Sequence, residues 1–324
     1  MAPKPSARLP AKSAARRRAE DPLARTAEEA GRLAVLRTPK LYLGGAFPRT
    51  ESGRTYLVTA ADGTTPLANA CQASRKDVRE AVRAARAAQP GWENRTAMNR
   101  GQVLYRVAEI IEGRRAQLAE EVAAAEGVRA DRARDLVGRA VDRWVWYAGW
   151  ADKIAAVLGT VNPVAAPFFD FTIPEPTGVV GIVAPQASSF LGLVSRLAPV
   201  LVAGNTAVLL ASEARPIPAV TLGEVLATSD VPGGVVNILT GLTAELAPVL
   251  AAHQDVDALD SWGVAYADQR AIDEAATENV KRVGRRPHGV RDAKFDWLDD
   301  RAAQRLEWIS AFLEAKTIWH PVGT

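Results

Sequence analysis

Cysteine is nearly absent from this chain. Cys71 is the only one in 324 residues, so no internal disulfide forms and no paired-thiolate metal site is available. Histidine is almost as scarce. His253, His288 and His320 are widely dispersed, with no paired ligand spacing, and no metal site is expected. No apolar run reaches the roughly 18 residues that suggest a membrane span. The N-terminus also lacks the apolar core of a secretory signal. These absences lead to the expectation of a soluble, cytoplasmic protein without membrane contact. Strong charge of one sign is missing too. The net charge is +3, and basic residues beyond the N-terminus are interleaved with acids, so nucleic-acid binding is not expected.

What is present suffices for a large core, since 48% of the residues are hydrophobic. Residues 1–38, with Lys4, Arg8, Lys12 and Arg16 to Arg18, read as a basic flexible extension; a solvated tail, an arm for an acidic partner and a polyanion contact all remain open. Turns and short strands are predicted over 41–59. Ser74 before Lys76-Asp77-Val78 marks a helix start. Helical spacing continues over 97–126 and 131–157, where Trp144, Trp146 and Trp150 read as core. Phe168 to Ile173 reads as a hairpin strand. Strands at 179–183, 207–210, 235–239 and 256–259 then alternate with helices at 189–203, 217–228 and 243–252. That alternation predicts an α/β fold, a doubly wound parallel sheet of Rossmann type, with its ligand crevice beyond the strands' carboxyl ends. Residues 266–282 read as helix and Arg285 to Gly289 as a linker. Leu306, Ile309, Phe312 and Leu313 read as one face of a helix, and the apolar piece Lys316 to Val322 as an edge strand on its own domain or on another subunit.

Three blocks carry a resemblance: Glu175-Pro-Thr-Gly-Val-Val-Gly-Ile-Val, then Ala203-Gly-Asn-Thr-Ala-Val with Ser212-Glu213, then Val231-Pro-Gly-Gly-Val-Val-Asn-Ile-Leu-Thr-Gly241. In their order and spacing, residues 41–264 resemble the aldehyde dehydrogenase superfamily. The resemblance divides the chain into the extension 1–38, a cofactor-binding domain 39–264 with its N-terminal helices, a helix and linker 265–298 replacing the catalytic domain, and a C-terminal helix and tail 299–324. It implies that Glu213, Gly241 and Gly263 are what remains of a weakened NAD(P) site. It also implies that a hairpin and tail containing Phe168, Phe169, Phe171, Ile318 and Trp319 form an oligomerisation element.

The departures point away from catalysis. The family's oxyanion asparagine corresponds to Ala187, and loss of such a donor costs on the order of 100- to 1,000-fold in rate. Its ribose-binding lysine corresponds to Leu210. In Ser261-Trp262-Gly263-Val264 the pyrophosphate-side hydroxyl is replaced by Val264, and Trp262 is expected to add bulk beside the phosphate path. The general-base and nucleophile motifs have no counterpart past Val264, so no catalytic residue is assigned. Cys71 reads as structural, and Asp299-Asp300 as a helix cap. The expected function is a catalytically inactive subunit that joins a full-length aldehyde dehydrogenase, the partner covering apolar surface left by the missing domain. The alternatives are an NAD(P)-dependent aldehyde oxidoreductase completed by a partner, and a nucleotide-binding module without chemistry.

Overall fold

The computed structural model describes residues 35–322, so nearly all of the predicted basic extension lies outside the described residues. Two strands, β1 (Thr55–Thr59) and β2 (Pro66–Cys71), pair antiparallel. Helix α1 (Arg75–Glu93) starts where the spacing predicts. The Ser74 side chain accepts from the Lys76 and Asp77 amides, and Asp77 accepts in return from the Ser74 amide at 2.7 Å. Such a reciprocal cap satisfies donors that the first helical turn cannot pair internally.

The next two predicted helices are each divided. Residues 97–126 form α2 (Ala97–Gly113) and α3 (Arg115–Glu126), broken at Arg114, whose φ of −107° and ψ of 14° depart from helix. Residues 131–157 form α4 (Ala130–Ala148) and the short α5 (Ile154–Leu158), separated by a turn at Gly149. Apolar periodicity persists through both breaks because all four pieces bury the same kind of face, and periodicity alone does not register a change of axis. Trp144 is fully buried, while Trp146 and Trp150 pack against the core from its margin.

A hairpin follows, β3 (Thr160–Asn162) with β4 (Phe168–Pro176). The parallel sheet then begins with β5 (Val179–Val183), whose unbroken Val-Val-Gly-Ile-Val run is buried throughout, as a central strand covered on both faces requires. Alternation continues through α6 (Leu191–Val202), β6 (Thr206–Leu210), α7 (Ile217–Ala227), β7 (Val236–Leu239), α8 (Thr243–Ala252) and β8 (Ala258–Asp260). The predicted 266–282 helix is shorter, α9 (Gln269–Thr277), and is followed by β9 (Arg282–Gly284). This fifth parallel strand is too short and too polar to stand out in the sequence. The strand order is β7-β6-β5-β8-β9. Connections run outward from β5 in one direction and from β8 in the other, so the topological switch point lies between these two strands.

Residues 285–312 close the fold. They include a 3₁₀ turn at Asp292–Lys294 and the helices α10 (Asp300–Ala303) and α11 (Leu306–Ser310). The predicted helix through Leu313 therefore stops at Ser310, and Leu313 opens β10 (Leu313–Pro321) instead. Strand β10 pairs antiparallel with β4 of its own chain along all nine positions, from Leu313 opposite Pro176 to Pro321 opposite Phe168.

This closing segment changes the expectation about exposed surface. Phe295, Trp297 and Trp308 surround Trp262, with ring centroids 4.6 to 6.5 Å apart, and Phe312 and Ile309 are fully buried. Arg196 lies over Trp308 at 4.3 Å while its Nε donates to Asp260 at 2.6 Å; both members of this ion pair are buried. The fully buried Arg143 on α4 donates to the carbonyls of Ala303 and Trp297 and to Asp300. The chain thus covers the α4, α6 and Trp262 surface with its own residues, and no partner is needed there. Truncating Trp297, which is 5% exposed, should cost about 3–5 kcal/mol. The expected reading is a lower urea midpoint for Trp297→Ala with an unchanged slope.

Candidate functional site

The switch point is crossed by one carboxylate. Strand β5 runs into Ala184-Pro185-Gln186-Ala187, and β8 runs into Ser261-Trp262-Gly263. Between these two ends, Asp292 Oδ2 accepts from the amides of Gln186 and Ala187 at 2.7 and 2.9 Å, and Oδ1 accepts from Trp262 Nε1 at 3.0 Å. Charge-assisted bonds of this kind contribute about 1.5–3 kcal/mol each. Arg286 Nη1 donates to the Trp262 carbonyl at 2.8 Å and holds the same loop from its other end.

Beside this bridge lies a cavity of about 650 Å³, bounded by β1, the start of α8 and the segment around α9. Its walls include Tyr56, Gln186, Glu213, Thr243, Pro248, Gly263, Val264, Asp268 and Ile272. The loop after β6 carries Glu213 to the rim, where the residue is fixed by three neighbours. Its amide donates to Gln186 Oε1 at 2.9 Å, its carbonyl accepts from Tyr56 Oη at 3.0 Å, and its carboxylate Oε2 accepts from the Thr243 amide at 2.8 Å. Burial, reinforced by the negative charge of Glu213, pushes the Tyr56 hydroxyl well above its ordinary value, so Tyr56 acts here as a donor.

Of the residues assigned from the sequence, Glu213 and Gly263 meet at this cavity. Gly263 is required by close approach, because a Cβ there would collide with the Ala184 carbonyl. Gly241 does not line the cavity; at φ 152° it faces the backbone of Ala73 and the side chain of Leu246. Trp262 is not beside the ligand path either. Its ring turns to the opposite side of the strand end, into the aromatic cluster, because that cluster and Asp292 offer it burial and a hydrogen-bond acceptor. Val264 does line the cavity, and Leu210 is buried in the sheet core. Cys71, the last residue of β2, is 1% exposed and packed in the core. Asp299 caps α10 by accepting from the Arg301 amide at 3.0 Å. The hairpin residues divide between two faces: register and ring contacts place Phe169, Phe171 and Ile318 on one, with Val161, and Phe168 and Trp319 on the other.

Other site residues gave no sequence signal. Asp292 sits in a loop whose pattern is that of an ordinary linker, Tyr56 in a short strand, and Asp268 at a helix start. Glu126, whose side chain accepts from the Ser189 amide and hydroxyl at 2.7 and 2.8 Å, lies at the end of α3; burial holds its carboxyl above the usual range.

A profile of the aldehyde dehydrogenase family matches residues 48–286, well over half of the chain. The chain belongs to the aldehyde dehydrogenase family. Retinal dehydrogenase 2 of Gallus gallus is 32% identical over 276 residues, which cover 82% of this chain and 52% of that protein. Aldehyde dehydrogenase, cytosolic 1, of Elephantulus edwardii is 32% identical over 75% of this chain and 49% of its own length. An aldehyde dehydrogenase of Bacillus cereus solved as an NAD+ complex superposes with a TM-score of 0.73 at 27% identity, covering 76% of this chain and 50% of that one. The chain spans about half the length of the relatives it matches. Among the described residues, no helix is long and apolar enough to cross a membrane.

A nicotinamide dinucleotide is the cofactor that this family fold implies, and Glu213 suits its ribose as an acceptor. The remaining residues do not fit. Among the described residues no lysine or arginine lines the cavity, Val264 offers no hydroxyl, and the Gln186 and Ala187 amides at the end of β5 are taken by Asp292. Replacing Asp292 by alanine should free the Gln186 and Ala187 amides. Their hydrogen exchange is expected to accelerate by at least about tenfold, with amides of β6 unaffected.

Proposed function

We propose that this aldehyde dehydrogenase family chain is a catalytically silent subunit that associates with a full-length aldehyde dehydrogenase. One observation carries the reading: at the end of β5, where the resemblance implies an oxyanion donor, Ala187 has no side-chain donor and its amide is taken by Asp292. A tetrahedral oxyanion needs preorganised donors aimed at it, and here the chain's own carboxylate occupies them. The lone thiol of Cys71 is buried in the core cluster behind the cavity and does not line it, so no thiolate faces the crevice.

The exposed sheet of β3, β4 and β10 supports the association. Val161 is 67% exposed and Phe169 46%, and with Phe171 and Ile318 they share one face, an apolar patch that favours a protein partner. Its role in the complex is structural support or regulation of the active subunit.

Co-expression with the full-length aldehyde dehydrogenases of the same organism, followed by tagged pull-down and native mass measurement, tests both halves. A stoichiometric complex is expected, with aldehyde oxidation that vanishes when the partner's nucleophile is removed. Phe169→Asp should weaken the complex by at least about tenfold, the loss of about 1.4 kcal/mol. Aldehyde oxidation by this chain alone would overturn the silent-subunit reading, and absence of any complex would overturn the association.

A further inference from the structure

Among the described residues one lysine is buried. Lys281, which leads into β9, is 8% exposed, whereas Lys40, Lys76, Lys153, Lys294 and Lys316 all lie in water. Lysine is almost never buried unless it is paired. Here no carboxylate lies within ion-pair distance of Nζ among the described residues, and the amine donates to the neutral Oδ1 of Asn279. That acceptor is fixed from behind, since Asn279 Nδ2 donates to the carbonyls of Gln254 and Val256 at 2.9 and 3.3 Å.

Lys281 borders a cavity of about 390 Å³ between α9 and β9. Two ion pairs share its walls, Arg270 with Glu274 at 2.8 Å and Arg285 with Asp273 at 3.1 Å. Each guanidinium there has its own carboxylate, so neither acid is left for Lys281. Burial lowers the Lys281 ammonium from its ordinary value, and the more distant charges of Asp257 and Glu278 oppose this only in part. His253, just after α8, is a further titratable neighbour and brings no negative charge. The groove is separate from the crevice. Strand β9 is the outer strand of the sheet, and Lys281 stands at the amino ends of the parallel strands, whereas the crevice lies beyond their carboxyl ends.

A desolvated lysine beside open space is a nucleophile toward carbonyl carbon. We infer that Lys281 reversibly holds a short aldehyde as an imine. The Nζ lone pair of the neutral amine forms the bond to the carbonyl carbon. The carbonyl oxygen takes both amine protons and leaves as one water, so no oxidant or reductant is required. Ala276, Thr277 and Val283 give the groove only a small apolar wall, which suits a short chain. The site asks nothing of the crevice or of a partner subunit, and its failure leaves the silent-subunit reading intact.

Reductive alkylation of the full chain with propanal and cyanoborohydride, read at each lysine by peptide mass spectrometry, tests the site; the hydride serves only to trap the imine. At pH 7 Lys281 should be labelled at least about threefold faster than Lys76, Lys153, Lys294 and Lys316, the gain in free amine from about half a pKa unit. The lead should shrink as the pH rises through about 10.4, where exposed lysines lose their protons as well. Asn279→Asp sets a carboxylate beside Nζ in place of a neutral acceptor and should erase the lead at pH 7. Labelling of Lys281 no faster than that of the exposed lysines, or a lead that does not change with pH, would overturn the inference. A lead that persists in the folded Asn279→Asp chain would overturn the part assigned to Asn279.

Discussion

A parallel sheet has two faces that must both be kept from water, and this constraint organises the molecule. One face is covered by α1, α8 and α9 together with the β1 and β2 ribbon. The other is covered by α6 and α7, with α4 and the segment 285–312 packed against α6 and pinned by the buried Arg196 and Asp260 pair and by Arg143. Buried charges of this kind are costly unless paired with good geometry, and here each guanidinium also sits against aromatic rings or takes several acceptors. The segment 285–312 is thus an integral layer of the fold.

The same layer sets the character of the functional region. Asp292 reaches the switch point only because Trp297 and Phe295 anchor its loop in the aromatic cluster. The switch point is spanned by an internal hydrogen-bonded bridge. Glu213 and Gly263 line the cavity on one side of it. A single segment therefore accounts both for the self-sufficiency of the core and for the altered ligand environment.

Much of this was legible in the sequence because it depends on local rules. The capping pair Ser74 and Asp77, the buried run at Val179, and the strand-helix alternation to α8 each follow from periodicity or from side-chain chemistry over a few residues. Glu213 and Gly263 were legible through their motifs. The remainder was not, because it is tertiary. Nothing near Trp262 in the chain announces that its ring turns to Trp297 and Trp308, and the linker-like run at 285–292 does not reveal a carboxylate destined for the amides of residues about a hundred positions earlier. Strand β9 is three residues long, and its existence follows from the vacant edge of β8 more than from its own composition. The hairpin residues were found as a group, but their division between two faces depends on the register of β4 and β10.

That register has a temporal consequence. The whole length of β10 zips onto a strand that precedes it by about 140 positions, as in the pairing of Lys316 with Ile173, and loop closure must precede the reward of such distant contacts. During synthesis, β4 would emerge with its phenylalanines long before its partner strand leaves the ribosome. The nascent chain therefore carries an unfinished, aromatic sheet edge for much of its elongation, a state in which chaperone capture and premature pairing with neighbouring chains compete with the native closure.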